Sequence, residues 1–136
     1  MAVIHSVIRS AKYATEITTL SGNTIIADEP FELGGENLGL SPEELLAAAL
    51  AACTSITLRM YANRKEWQLN EVKIEVEVKR DTIKNGTTFW RKLMLTGNLD
   101  ETQKERLVQI ANACPVHKIL SNNIDIVTSV SRANSF

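Results

Sequence analysis

Between residues 71 and 80 apolar and charged positions alternate strictly, EVKIEVEVKR, with Val72, Ile74, Val76 and Val78 on one face. A period of two predicts a strand that is buried on one side and solvated on the other. Asn85-Gly86 is a strong hairpin signal, and residues 87–96 return as the partner strand. Earlier in the chain, residues 2–9 alternate loosely as a first strand. Residues 13–19 and 24–28 flank Ser21-Gly22-Asn23, which predicts a further hairpin. Near the end, Asn122-Asn123 turns the chain into a last strand over residues 124–130, followed by a tail that is expected to fray.

Two other stretches carry helical signals. Ser41 is a good N-cap, Pro42 suits the first helical position, and Glu44 completes a capping box. The alanine-rich run that follows, residues 45–53, is apolar on every side, which predicts a buried helix with close neighbours, running to about Asn63 or Arg64. The preceding loop, DEPFELGGENLGL, contains Pro30 and three glycines and is expected to be the most mobile part of the N-terminal half. Asp100, with Gln103 three positions on, caps a second helix that carries Leu107, Ile110, Ala111 and Cys114 at helical spacing. Pro115 breaks this helix at Cys114, and a short helix restarts over residues 116–120. The order βββ-α-ββ-α-α-β, without repeats or linkers, predicts one α+β domain spanning 1–136. Its mainly antiparallel sheet would cover a buried central helix.

Composition narrows the partners. A net charge of −1 and 5% aromatics give no electrostatic or stacking case for nucleic acid, nor for an anionic membrane. The N-terminus lacks a signal-peptide pattern, and the apolar run 45–53 is too short to span a bilayer. A soluble cytoplasmic protein is expected, in which two cysteines rest as thiols.

Those cysteines, Cys53 and Cys114, carry the candidate chemistry. With two cysteines, two histidines and neither CxxC nor HxxxH spacing, no metal or other cofactor is expected. A Cys-His hydrolase using His117 has no evident third, orienting group. A redox pair fits better. Cys114-Pro115 puts a thiol at a helix start, where free N–H groups favour thiolate, and His117 adds charge when protonated. Cys53 sits mid-helix among alanines, where burial alone would leave it inert, and it reads equally well as a small core residue. Thr54 and Thr57 are possible donors to it, although threonine in a helix commonly bonds back to a carbonyl. Trp67 and Trp90 are expected to anchor a core or an interface.

The segments SPEELLAAALAAC and ACPVHKIL together resemble the OsmC/Ohr family of peroxide-detoxifying proteins. The resemblance implies an OsmC-like fold, an intertwined homodimer with two antiparallel sheets wrapped around paired central helices. It also implies a thiol peroxidase. Cys53 would attack an organic hydroperoxide or H2O2, and its sulfenic acid would condense with the resolving Cys114. A dithiol reductant, lipoyl-linked in much of the family, would reset the pair. Glu43 matches the motif glutamate that helps to position an arginine beside the thiolate. Ten residues of helix span about 15 Å, so Glu43 reaches a Cys53 only on an antiparallel partner helix. Family peroxidases carry that arginine in the N-terminal region or the loop before the helix, but here the loop has only acids. Arg9 lies too early, and Arg59 is about 240° round the helix from Cys53. The competing reading is therefore an OsmC-like protein that senses redox state or binds a small apolar ligand without turning over peroxide.

Overall fold

The computed structural model describes residues 1–131. Its elements are β1 (Ile4–Ile8), β2 (Thr15–Thr19), β3 (Thr24–Ala27), a 3-10 turn (Phe31–Leu33), α1 (Pro42–Lys65), β4 (Gln68–Asp81), β5 (Gly86–Asn98), α2 (Glu101–Ala111) and α3 (Pro115–Leu120). The strands form two antiparallel sheets, β1-β2-β3 and the long hairpin β4-β5. The architecture is α+β.

Local chemistry sets the helix boundaries. The backbone N–H of Glu44 donates to Ser41 Oγ at 3.3 Å, and Ser41 N–H donates to Glu44 Oε1 at 2.9 Å, closing the expected capping box of α1. Asp100 and Gln103 do the same for α2 at 2.8 and 2.9 Å. Pro115 opens α3, with Cys114 as its N-cap.

The alternation along the hairpin becomes its packing. Val72, Ile74, Val76 and Val78 face inward on β4, opposite Leu95, Leu93, Arg91 and Phe89 of β5. Leu58 and Ala62 of α1, Leu69 of β4, and Leu107 and Ala111 of α2 make the fully enclosed core, with Val72, Leu93 and Leu95 packed against it. Trp67 sits beside this core, edge-on to Tyr61 at 5.5 Å. Trp90 points the other way and is 62% exposed.

Two expectations need correction. The central helix is not buried on every side within one chain. Leu50, Thr54, Leu58 and Ala62, spaced by four, form its buried stripe, whereas Leu46, Ile56 and Met60 are about half exposed. The reason is that β4, α2 and α3 cover one face only. This helix is also long and apolar enough to cross a membrane by length and composition, although the run 45–53 alone is not. Its acidic first turn, basic last turn and packed stripe are equally those of a core helix.

Residues 124–130 form no strand. A strand needs an edge to receive its N–H and C=O groups, and neither sheet of the chain pairs with this segment, which leaves Ile126, Val127 and Val130 exposed. Beyond Ser131 the expected frayed tail lies outside the described residues.

The loop before α1, expected to be mobile, has a hydrogen-bonded frame of its own. The buried Asp28 carboxylate accepts from the N–H groups of Glu29, Glu36 and Leu38. Asp28 N–H donates to Leu40 O at 3.1 Å. A Cβ at Gly39 would fall 1.8 Å from the carbonyl oxygen of Ile26, so only glycine lets the loop run this close to β3.

Candidate active site

The site forms where α1, the middle of β5, the end of α2 and the start of α3 meet. Helical spacing carries Thr54 onto the buried stripe of α1 and leaves the adjacent Cys53 partly exposed at its margin. The Pro115 break turns the chain so that Cys114 caps α3 with its sulfur fully enclosed. Both cysteines are free thiols.

The Cys114 sulfur has a backbone donor and a polar neighbour. The backbone N–H of His117 donates to it at 3.3 Å, and the Thr54 hydroxyl lies 3.8 Å away. Cys53 lies close enough to act on it as well. Burial pushes the Cys114 thiol up. The His117 N–H, Thr54, Cys53 and the positive charge of Arg91 outweigh that effect and bring it below an ordinary thiol. The structure thus brings the two expected cysteines together.

Arg91 was not legible as a site residue from motif or spacing to the cysteines. It occupies an inward position of β5, opposite Val76. Its Nη1 donates to Thr54 Oγ1 at 2.9 Å, and its Nη2 to Asn112 Oδ1 at 2.9 Å and towards His117 Nδ1 at 3.2 Å. The signal that could have found it is the alternation itself, because Arg91 is a charge on the apolar face of a strand.

His117 enters the site through its ring as well as its backbone N–H. An arginine offers only hydrogens, so His117 Nδ1 is the acceptor of that contact. Thr54 does both things threonine can do here. It donates to Leu50 O at 2.7 Å and stands beside the Cys114 sulfur.

Glu43 is not brought to the cysteines within the chain. It stays in the first turn of α1, where its Oε1 pairs with Arg80 Nε at 2.7 Å. Arg59 is held elsewhere, on the carbonyl groups of Leu69 and Asn70. Among the described residues no group of three or more His, Cys, Asp or Glu side chains gathers as a metal site. A groove of about 300 Å³ runs beside the network, walled by Leu50, Phe89, Arg91, His117 and Leu120 among others. Neither cysteine is among the residues that wall it.

An α+β chain that holds two thiols between a long helix and a Cys-Pro turn defines a class of dithiol proteins. This chain belongs to the OsmC-like protein family, whose model matches residues 34–129. It is 31% identical over 100 residues to an uncharacterized protein of Acinetobacter baylyi, a match covering 71% of this chain and 70% of that one. Among solved structures it is similar to the organic hydroperoxide resistance protein OsmC of Legionella pneumophila (26% identity, TM-score 0.65, 92% of each chain). It is similar also to OhrB of Bacillus subtilis, an organic hydroperoxide resistance protein (26%, TM-score 0.62, 92% and 93%). An OsmC-like protein of Mycoplasma pneumoniae shares the fold (22%, TM-score 0.75, 88% and 86%).

Proposed function

We propose that the protein is a thiol peroxidase that reduces organic hydroperoxides or H2O2 in a reducing compartment such as the cytoplasm, with Cys53 as nucleophile and Cys114 as resolving residue. The observation that carries this reading is a partly exposed Cys53 thiol close to an enclosed Cys114 sulfur that accepts from the His117 N–H. Cys53 attacks the peroxide oxygen as thiolate, the O–O bond breaks, and an alcohol leaves with a proton. The Cys114 thiolate then attacks the Cys53 sulfenic sulfur, the S–S bond forms, and hydroxide departs as water. Two thiols and one peroxide give a disulfide, an alcohol and water. A dithiol reductant, lipoyl-linked in the family, returns the pair to thiols.

The working form in this proposal is a homodimer. Its support is the apolar surface that one chain leaves open: Leu46, Ile56 and Met60 on α1, and Ile4, Val7, Ile8 and Ile25 on the N-terminal sheet. Glu43, with its partner Arg80, would then act on the Cys53 of a second copy whose α1 runs antiparallel. Sedimentation should give twice the chain mass, and a monomer at micromolar concentration contradicts the dimer.

The experiment for the chemistry is disulfide mapping after one equivalent of cumene hydroperoxide. A Cys53–Cys114 disulfide formed in stoichiometric yield is expected. Mass spectrometry showing both thiols untouched would sink the peroxidase reading in favour of a sensing or ligand-binding protein.

A further inference from the structure

A charge on the inward face of a strand is costly unless something there uses it. Arg91 has only neutral acceptors, Thr54 Oγ1, Asn112 Oδ1 and His117 Nδ1. Among the described residues no ion pair involves it. The guanidinium is therefore hydrogen-bonded but not neutralised. The neighbouring group able to take up a negative charge is the enclosed sulfur of Cys114, which shares Thr54 with it.

We infer that Arg91 is the positioning residue of the resolving thiol: by tying Asn112 to His117 and placing an unpaired positive charge beside Thr54 on the inner face of β5, it fixes the turn that presents Cys114 and favours the thiolate there. Arg91 does this in two ways. Its Nη1 donates to Thr54 Oγ1, whose own hydrogen goes to Leu50 O, so the guanidinium is held on a hydroxyl oxygen that lies 3.8 Å from the Cys114 sulfur. Its Nη2 ties Asn112 at the end of α2 to His117 on α3, which fixes the turn that presents Cys114.

The consequence lies in the second chemical step. Attack on the Cys53 sulfenic sulfur requires an electron pair on Cys114, and a thiol that is already ionised needs no proton removed at that moment. The S–S bond forms as the S–O bond of Cys53 breaks, and the departing hydroxide takes a proton from water-borne acid. The inference rests on the peroxidase reading for this step, but not for the ionisation itself.

The two are separated by titrating Cys114 in a Cys53→Ser background through thiolate absorbance near 240 nm, which needs neither peroxide nor access to the sulfur. Arg91→Gln should raise the midpoint by about one unit, and Arg91→Lys should recover part of that shift. Arg91→Met is the companion variant, since an apolar residue suits the inward face of β5 if Gln disturbs folding. In the full dithiol protein the same substitutions should lengthen the lifetime of the Cys53 sulfenic acid by about tenfold at neutral pH, in line with the lost thiolate fraction. An unmoved midpoint in folded Arg91→Gln or Arg91→Met overturns the inference. If the midpoint moves but the wild-type protein leaves peroxide intact, the peroxidase reading fails and the role of Arg91 in ionising Cys114 stands.

Discussion

Cys53 and Cys114 sit side by side in opposite surroundings. Cys53 is on the margin of an alanine-rich helix and partly exposed. Cys114 has no exposed surface, yet its sulfur accepts from the His117 N–H and lies beside the Thr54 hydroxyl that Arg91 holds. Exposure and polar contacts are thus divided between the two sulfurs. In the proposed reaction this division lets the more accessible thiol meet the oxidant while the enclosed one is held ready for the second step.

The largest expected effect separates the two residues outright. Cys53→Ser should abolish peroxide consumption, whereas Cys114→Ser should consume one equivalent per chain and stop as sulfenic acid. Full multiple turnover by Cys114→Ser with a dithiol reductant would erase the distinction. Next in size is Thr54→Val, which strips the shared hydroxyl and leaves an Arg91 donor unpaired. It should cost about 1–3 kcal/mol in urea unfolding and also raise the Cys114 midpoint. A stability loss with no change in titration would make Thr54 a packing residue only.

Ser41→Ala sharpens the contrast from the other side. It removes the cap of α1 and should cost about 1 kcal/mol, while Cys114 titrates as before, because none of its donors lies in the first turn of α1. The smallest effect is a pH dependence of stability. The folded chain releases the Cys114 proton at lower pH than the unfolded chain does. Between those two values the unfolded state binds more protons, so stability rises with pH, and it is lost as pH falls through the folded value. Relative to Cys114→Ser, the wild type should therefore gain stability from below the folded midpoint up to the unfolded thiol value of about 8.5. Parallel curves for the two proteins would show that the donors around Cys114 do not favour its thiolate.

Much of the fold was legible because it follows from local signals. The capping boxes at Ser41 and Asp100, the Asn85-Gly86 turn and the alternation of Val72 to Val78 are each written in a few adjacent residues. What misled was information held between distant parts. An all-apolar helix reads as buried whether one chain or two cover it, and residues 124–130 alternate like a strand without an edge in the same chain to join. The site divides in the same way. Both cysteines could be picked from motif and helix chemistry, and the structure sets them together. Arg91 lies in a different strand from either, and its importance comes from the register that puts it opposite Val76 and beneath Thr54. Looking for an arginine in the loop before α1 missed a cation delivered by the sheet.

The most direct test of the division between the thiols is where the first oxygen lands. Wild-type protein is mixed with less than one equivalent of cumene hydroperoxide in the presence of dimedone, quenched within milliseconds to seconds, and peptide-mapped by mass spectrometry. The dimedone adduct should appear on Cys53, with Cys114 found as free thiol or in the Cys53–Cys114 disulfide. An adduct on Cys114 with Cys53 unmodified would contradict the account.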